Sequence, residues 1–92
     1  MEQHKNCVQI YNYASTNGET IHYIPINKIE ENNNTIKVYI LWKDIIAIST
    51  CVQICEVYIG YRPYTNLNDM TVKRNETFVI ITINKNDRPP KN

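Results

Sequence analysis

The sequence predicts an all-β fold, a small single-domain antiparallel barrel or sandwich of about six to seven strands. Composition is the first reason. The 92 residues include 15 Ile, 6 Val and 8 Thr but only 2 Leu and 2 Ala, and branching at Cβ favours the extended backbone over the helix. The second reason is that several short segments alternate apolar and polar residues between turn-forming residues. Because a chain of this length forms one core, we expect a single β-rich globular domain over residues 1–84.

The first two strands are predicted over 7–14 and 19–26. The intervening segment contains an Asn-Gly pair, which tolerates the positive φ angles of a tight hairpin. Pro25 lacks an amide donor, which places the second strand at a sheet edge or at a bulge. A polar loop follows at 30–34. The clearest strand comes next, because four apolar residues recur there at period two, namely Ile36, Val38, Ile40 and Trp42.

The segment 44–59 is ambiguous. Read as a helix it would have almost no polar side, and its β-branched residues are poor helix formers. We therefore predict one long curved strand or two short ones, with Val52 and Ile54 facing the core. The alternative is an α+β fold with one helix within 44–59.

The last part of the domain is predicted to be a loop over 62–69 followed by a strand pair over 70–74 and 77–84. The final strand is apolar on both faces, which indicates a central position in its sheet. The remaining residues are polar and include two prolines, so we expect a flexible polar tail over 85–92.

Two short matches raise the question of internal duplication. The letters CVQI occur at 7–10 and again at 51–54, and the segment 19–28 resembles 76–85. Duplication would give two similar halves related by a pseudo-two-fold axis. The matched letters are few and of common types, so coincidence is the competing explanation.

Charge and motif content exclude several functions. The net charge is +1 and no uncharged run is long enough to span a bilayer. The opening residues lack an apolar segment behind a basic start, so we expect no signal peptide. With only two glycines, neither a phosphate-binding loop nor a dinucleotide-binding turn is present, and the spacing of the three cysteines does not match a zinc site on a strand. We therefore expect no enzyme activity, no cofactor, no metal and no membrane partner. The odd cysteine count favours a reducing, cytoplasmic setting.

Four residues near the end of the ambiguous segment are the candidate binding site: Tyr58, Tyr61, Arg62 and Tyr64. Tyrosine and arginine are enriched in protein-binding hot spots, and the same residues could stack on unpaired bases. The structural alternative is that these rings are buried at strand ends with their hydroxyls in water.

These observations predict a small intracellular protein-binding module, interacting or inhibitory, that acts stoichiometrically. A homodimer formed through an exposed sheet edge is a further expectation, as is a viral or mobile-element origin, because Ile, Asn, Lys and Tyr are abundant. The alternative function is a small β-barrel that binds single-stranded nucleic acid. Such a protein should gather its basic side chains on one face with the tyrosines: Lys37, Lys43, Arg62, Lys73 and Arg74.

Overall fold

The computed structural model describes residues 5–16, 18 and 20–85 and contains two antiparallel sheets of four strands each. Sheet A has the order β2-β1-β5-β6, with strands at Asn6–Asn12 (β1), Ile21–Pro25 (β2), Val52–Ile59 (β5) and Arg62–Tyr64 (β6). Sheet B has the order β3-β4-β8-β7, with strands at Lys28–Glu31 (β3), Thr35–Leu41 (β4), Met70–Arg74 (β7) and Phe78–Asn84 (β8). A five-residue helix, Trp42–Ile46 (α1), joins β4 to β5, and a 3₁₀ turn, Leu67–Asp69, precedes β7.

The predicted all-β fold is confirmed as a sandwich, and its alternative, a closed barrel, is wrong. Each sheet ends in two edge strands, so neither closes on itself. The described strands number eight rather than six to seven. The two additional strands, β3 and β6, are four and three residues long, too short for alternation to reveal them, and β6 lies inside the predicted loop 62–69.

The core lies between the inner faces of the two sheets. The alternation predicted for β4 is confirmed, since its three inward residues are buried, but Trp42 begins α1 instead of ending the stripe. The helix contributes one buried residue, Ile45. The other fully packed apolar residues come from both sheets: Val8, Ile10, Ile24 and Val57 from sheet A, and Ile36, Val38, Ile40, Val79, Ile81 and Ile83 from sheet B.

A β-bulge explains why the segment 44–59 is hard to interpret from its pattern. The strand prediction is confirmed for β5, and the helix covers only the first residues of the ambiguous stretch. In the pairing of β1 with β5, Ile10 lies opposite Ile54 but Gln9 lies opposite Glu56, so Cys55 is the extra residue. The bulge lets Ile54 and Val57, three residues apart, both pack inward. A regular strand would place them on opposite faces.

The positions predicted for Pro25 and for the last strand are confirmed, because β2 is an edge strand and β8 lies between β4 and β7. The tail predicted over 85–92 stays a prediction, because Lys85 is its one described residue. The Lys85 ammonium lies 2.9 Å from the Glu31 carboxylate and 3.0 Å from the Asn32 carbonyl, and its backbone N–H donates to Asn34. The rest of that tail lies outside the described residues.

The two halves of the domain repeat the same order of strands. In β1–β4 and again in β5–β8, the chain passes through an inner strand of sheet A, an edge of sheet A, an edge of sheet B and an inner strand of sheet B. Ile54 lies opposite Ile10 and 44 positions after it, which is the separation of the two CVQI segments. Those segments therefore occupy equivalent places. The match between 19–28 and 76–85 relates β2 and the start of β3 to β8, which are not equivalent.

The repeat is clearest in two hairpin turns, one in each half of the domain. Asn32 begins the β3–β4 turn and Asn75 begins the β7–β8 turn, 43 positions later. Each side-chain oxygen accepts hydrogen bonds from the backbone N–H groups two and three residues on, at 2.7 and 2.8 Å in both turns. Each asparagine N–H also donates to the carbonyl three residues on, at 2.9 Å. The asparagine side chain thus builds both turns in the same way.

We expect Asn32→Ala and Asn75→Ala each to lower the free energy of unfolding by about 1 kcal/mol, because each leaves two turn amides without their acceptor. The turns lie at opposite ends of the β4–β8 pair, so the double variant should lose the sum of the two effects. Urea denaturation measures all three. Asn33→Ala, at an exposed position in the same turn, is the control and should change stability by less than about 0.5 kcal/mol. A loss from Asn33→Ala equal to the others would contradict this account of the turns.

Candidate functional site

The four predicted binding residues do not form one cluster. Tyr58 lies on the outer face of sheet A, where its ring centroid is 6.5 Å from that of Tyr23. Tyr64 lies opposite the buried Val57 and packs against the core, with the Arg62 guanidinium 4.9 Å from its ring centroid. Tyr61 occupies the β5–β6 turn at φ 74° and is 53% exposed. The four residues are therefore divided between the two faces of sheet A and the tip of a hairpin.

The outer face of sheet A is rich in tyrosine. Tyr11, Tyr13 and Tyr23 are exposed there or beside it, and Gln9 donates to the Tyr23 hydroxyl at 3.0 Å. Tyr58 donates a hydrogen bond to the Glu56 carboxylate. That bond, then burial and the Glu56 charge, raise the pKa of Tyr58 to about 12. The phenol is thus held neutral as a donor and is not poised to act as a base.

The cysteines are unpaired, as the odd count predicts: Cys7, Cys51 and Cys55 are all free thiols. Burial raises the pKa of the Cys7 thiol, and burial followed by the neighbouring Glu56 carboxylate raises that of Cys55. A raised pKa lowers the fraction of reactive thiolate. In the described part of the chain, no group of three or more His, Cys, Asp or Glu side chains could hold a metal ion.

A groove between the two sheets is a concave site with a mainly apolar lining. It encloses about 410 Å³ on the side of the sandwich where β6 and β7 form the edges. Two of its apolar residues are prominently exposed, Val72 at 50% and Leu67 at 42%. The lining residues are Trp42, Ile45, Val52, Ile54, Leu67, Met70, Val72, Lys73, Arg74 and Val79. We call this site the open-side groove.

The groove exists because β6 is short. Strand β6 pairs with β5 only over Val57–Ile59, so the preceding part of β5 has no neighbouring described strand on that side. Val52 and Ile54, predicted to fill the core, are consequently half-buried and line the groove. In the equivalent half, β2 pairs with β1 over five residues. The second half of the domain therefore differs from the first in the shorter pairing of its edge strand, and the groove lies at the position of that difference.

The segment after β6 carries the chain across to sheet B and forms one wall of the groove. Asn66 begins the 3₁₀ turn: its side-chain oxygen accepts from the Asn68 N–H at 3.1 Å, and its amide donates to Asp69 at 3.0 Å. The turn presents Leu67 to the groove. The sequence contains a signal for this wall, since Leu67 is an apolar residue in an otherwise polar loop, but the pattern around it predicts only a loop.

Two cations mark one margin of the apolar lining. Lys73 and Arg74 are the charged residues among those that line the groove, and the Arg74 guanidinium lies 4.2 Å from the Trp42 ring centroid. Aromatic stacking holds the guanidinium in place while leaving its charge available. The groove can therefore accept an apolar chain segment that carries an acidic group near Arg74.

The Tyr58–Glu56 hydrogen bond gives a pH prediction. Because the bond favours the neutral phenol, its stabilising effect should be complete below the ordinary tyrosine pKa of about 10 and should be lost as the pH rises through about 12. The hydrogen bond to Glu30 also raises the pKa of Tyr39, so absorbance titration of tyrosinate should show a late phase from two phenols. Tyr58→Phe should remove part of that phase, and Glu56→Gln should shift the same part toward about 10.

Glu76→Gln removes a carboxylate from the β7–β8 turn and serves as the control that leaves the late phase unchanged. If Glu56→Gln leaves the amplitude of the late phase undiminished, the assignment of part of that phase to Tyr58 is wrong.

No helix in the described ranges is long and apolar enough to cross a membrane. Comparisons with protein-family models, curated proteins and solved structures find no match to this chain. The geometry of the molecule is therefore the basis for any functional assignment.

Proposed function

We propose that the protein is a stoichiometric protein-binding module, interacting or inhibitory, whose contact surface is the open-side groove. The single observation that carries this proposal is an apolar groove of about 410 Å³ left open at the surface of so small a domain. An exposed apolar concavity of this kind is typical of a binding site.

The exposed groove residues can contribute to binding energy. Val72 and Leu67 leave about half of their side-chain surface in water. Full burial of an aliphatic side chain is worth roughly 1.5 to 3 kcal/mol, so a partner that covers each remaining half gains roughly 1 kcal/mol per residue. Contacts with Trp42 and with the Arg74 charge would add to this, since Trp and Arg are common hot-spot residues.

The distribution of charge favours a protein partner over single-stranded nucleic acid. Lys37 and Lys73 lie opposite Thr82 and Ile80 on the outer face of sheet B. Arg62 stacks on Tyr64, and Arg74 stacks on Trp42. The exposed Tyr11 and Tyr23 lie on sheet A. The lysines of sheet B are thus separated from these rings, and each of the two arginines stacks on a ring near it, whereas a single-stranded nucleic-acid surface needs cations and open aromatic faces interleaved.

The setting of the module is part of the proposal. The three unpaired thiols support a reducing, cytoplasmic location. The expectations of a homodimer through a sheet edge and of a viral or mobile-element origin rest on the sequence alone and stay predictions.

Selection of binding peptides from a random displayed library tests the proposal, because such a library does not presuppose the sequence of the partner segment. We expect selected peptides to bind the native protein, and Val72→Asp to weaken them by about tenfold or more, because the substitution places a charge in the apolar groove. Thr71→Asp is the matched control, since Thr71 is the adjacent residue of β7 and lies on the outer face opposite Thr82.

Thermal melts should show that both variants fold, because both positions are exposed. Peptides that bind equally well to native protein and to Val72→Asp would contradict the groove as the binding surface, as would a selection that yields no binder.

A further inference from the structure

We propose that the ligand of the open-side groove is an extended segment of a partner protein that adds to sheet B as a fifth strand along β7. The segment would carry apolar side chains at alternate positions and an acidic side chain near Arg74. This inference rests on the proposed function and specifies the kind of partner and how it is held.

The hydrogen-bonding groups of β7 are oriented for such an addition. The Asn75 N–H donates to the Phe78 carbonyl at 2.9 Å, so that residue faces β8. The backbone N–H and C=O groups of successive strand residues point to opposite sides. The backbone groups of Lys73 and Thr71 therefore also face β8, while those of Val72 and Arg74 point to the open edge. The Met70 N–H belongs to this second set and bonds to the Leu67 carbonyl at the start of the strand. Val72 thus presents a donor and an acceptor where a new strand would lie.

The other three edges of the sandwich are protected. Strands β2 and β6 contain Pro25 and Pro63, which lack the donor that an added strand requires. Strand β3 is exposed at all four residues, and three of them are charged. Charges and prolines are the usual devices against edge-to-edge pairing. Strand β7 has no proline and begins with three uncharged residues, Met70 to Val72.

A strand added to β7 would also cover the groove. Met70, Val72 and Arg74 lie opposite Ile83, Ile81 and Val79 of β8, so their side chains face the interior of the sandwich. The residues placed beside them by an added strand, about 4.8 Å away, would point inward as well. There they would meet the side chains of Val52 and Ile54, which line the groove from β5. One partner segment would therefore satisfy both the open backbone and the exposed apolar wall.

Charge determines the chemistry of the segment at one end. Arg74 is the inward-facing cation of β7, and its guanidinium rests on the Trp42 ring. A carboxylate beside it would form a charge-assisted hydrogen bond. Residues 86–92 contain two prolines and no aliphatic or aromatic side chain, so they lack the alternating apolar residues that the groove would take.

Val72→Pro tests the backbone contact directly. The Val72 N–H has no role in the pairing of β7 with β8, so proline at this edge position removes the donor offered to a partner, together with the valine side chain, and leaves that pairing intact. Val72→Ala trims the side chain and keeps the donor. The ligand used is a synthetic ten-residue peptide that alternates valine and threonine and ends in glutamate. Binding is followed by nuclear magnetic resonance of the isotope-labelled protein, which also reports that each variant is folded.

We expect the peptide to shift the resonances of β7, and Val72→Pro to weaken binding by about tenfold, more than Val72→Ala does. A peptide methylated on the amide nitrogens that face β7 should fail to bind, whereas methylation of the intervening nitrogens should have little effect. Replacing the terminal glutamate by lysine should weaken binding through Arg74.

Three results would overturn this inference. Equal affinity of native protein and Val72→Pro, with Val72→Asp still defective, would show a groove that binds side chains without strand addition, and the proposed function would survive. No resonance shift at about millimolar peptide would reject this class of segment. Sedimentation that reveals a dimer abolished by Val72→Pro would identify a second copy of the chain as the occupant.

Discussion

The packing of four inner strands against one another is the constraint on which the rest of the molecule depends. The pairs β1·β5 and β4·β8 place their inward faces together, and the largest fully buried side chains come equally from the two: Ile10, Val8 and Val57 from one, and Ile40, Ile81 and Val38 from the other. A domain of this size buries only about 60 to 65% of its unfolded surface. Little apolar surface remains for a second core, so the edges and loops are held chiefly by hydrogen bonds.

The groove follows from this limited supply of apolar surface. Strand β6 contributes one partly buried ring, that of Tyr64, to the core, and the chain then leaves for sheet B. The inner strand β5 is left covered along one flank and bare along part of the other. An apolar wall exposed to water at that position lowers the stability of the isolated domain.

Local pattern is enough to predict the elements whose burial alternates regularly. The stripe at Ile36, Val38 and Ile40 indicates β4, and the apolar run before Asn84 indicates a central strand. The failures have physical causes. Strands β3 and β6 are exposed and short, so their pairing is decided by their neighbours. The bulge at Cys55 shifts the alternation within β5, and a period-two pattern cannot anticipate it.

The candidate site is harder to predict, because the groove forms where part of β5 has no neighbouring described strand on one side. Tyr58, Tyr61, Arg62 and Tyr64 are close together in sequence, but a tight turn and the alternation of strand faces send their side chains in different directions. The groove residues come from five separate elements. Nothing in the sequence of β5 indicates that its flank is uncovered, since that depends on where β6 ends.

The repeated order of the strands also bears on how the chain folds. Each β-hairpin joins neighbouring strands, but the two inner pairs join residues 37 to 53 positions apart, such as Ile10 with Ile54 and Val38 with Ile81. Closing such long loops is entropically costly, so these pairings form late and slowly. Until these pairings form, each half has two inner strands whose backbone hydrogen-bonding groups are unpaired on one side. These strands hold the same places in the repeated strand order. At high protein concentration, a half of one chain can then pair with a half of another, so we expect exchange of halves to compete with correct folding.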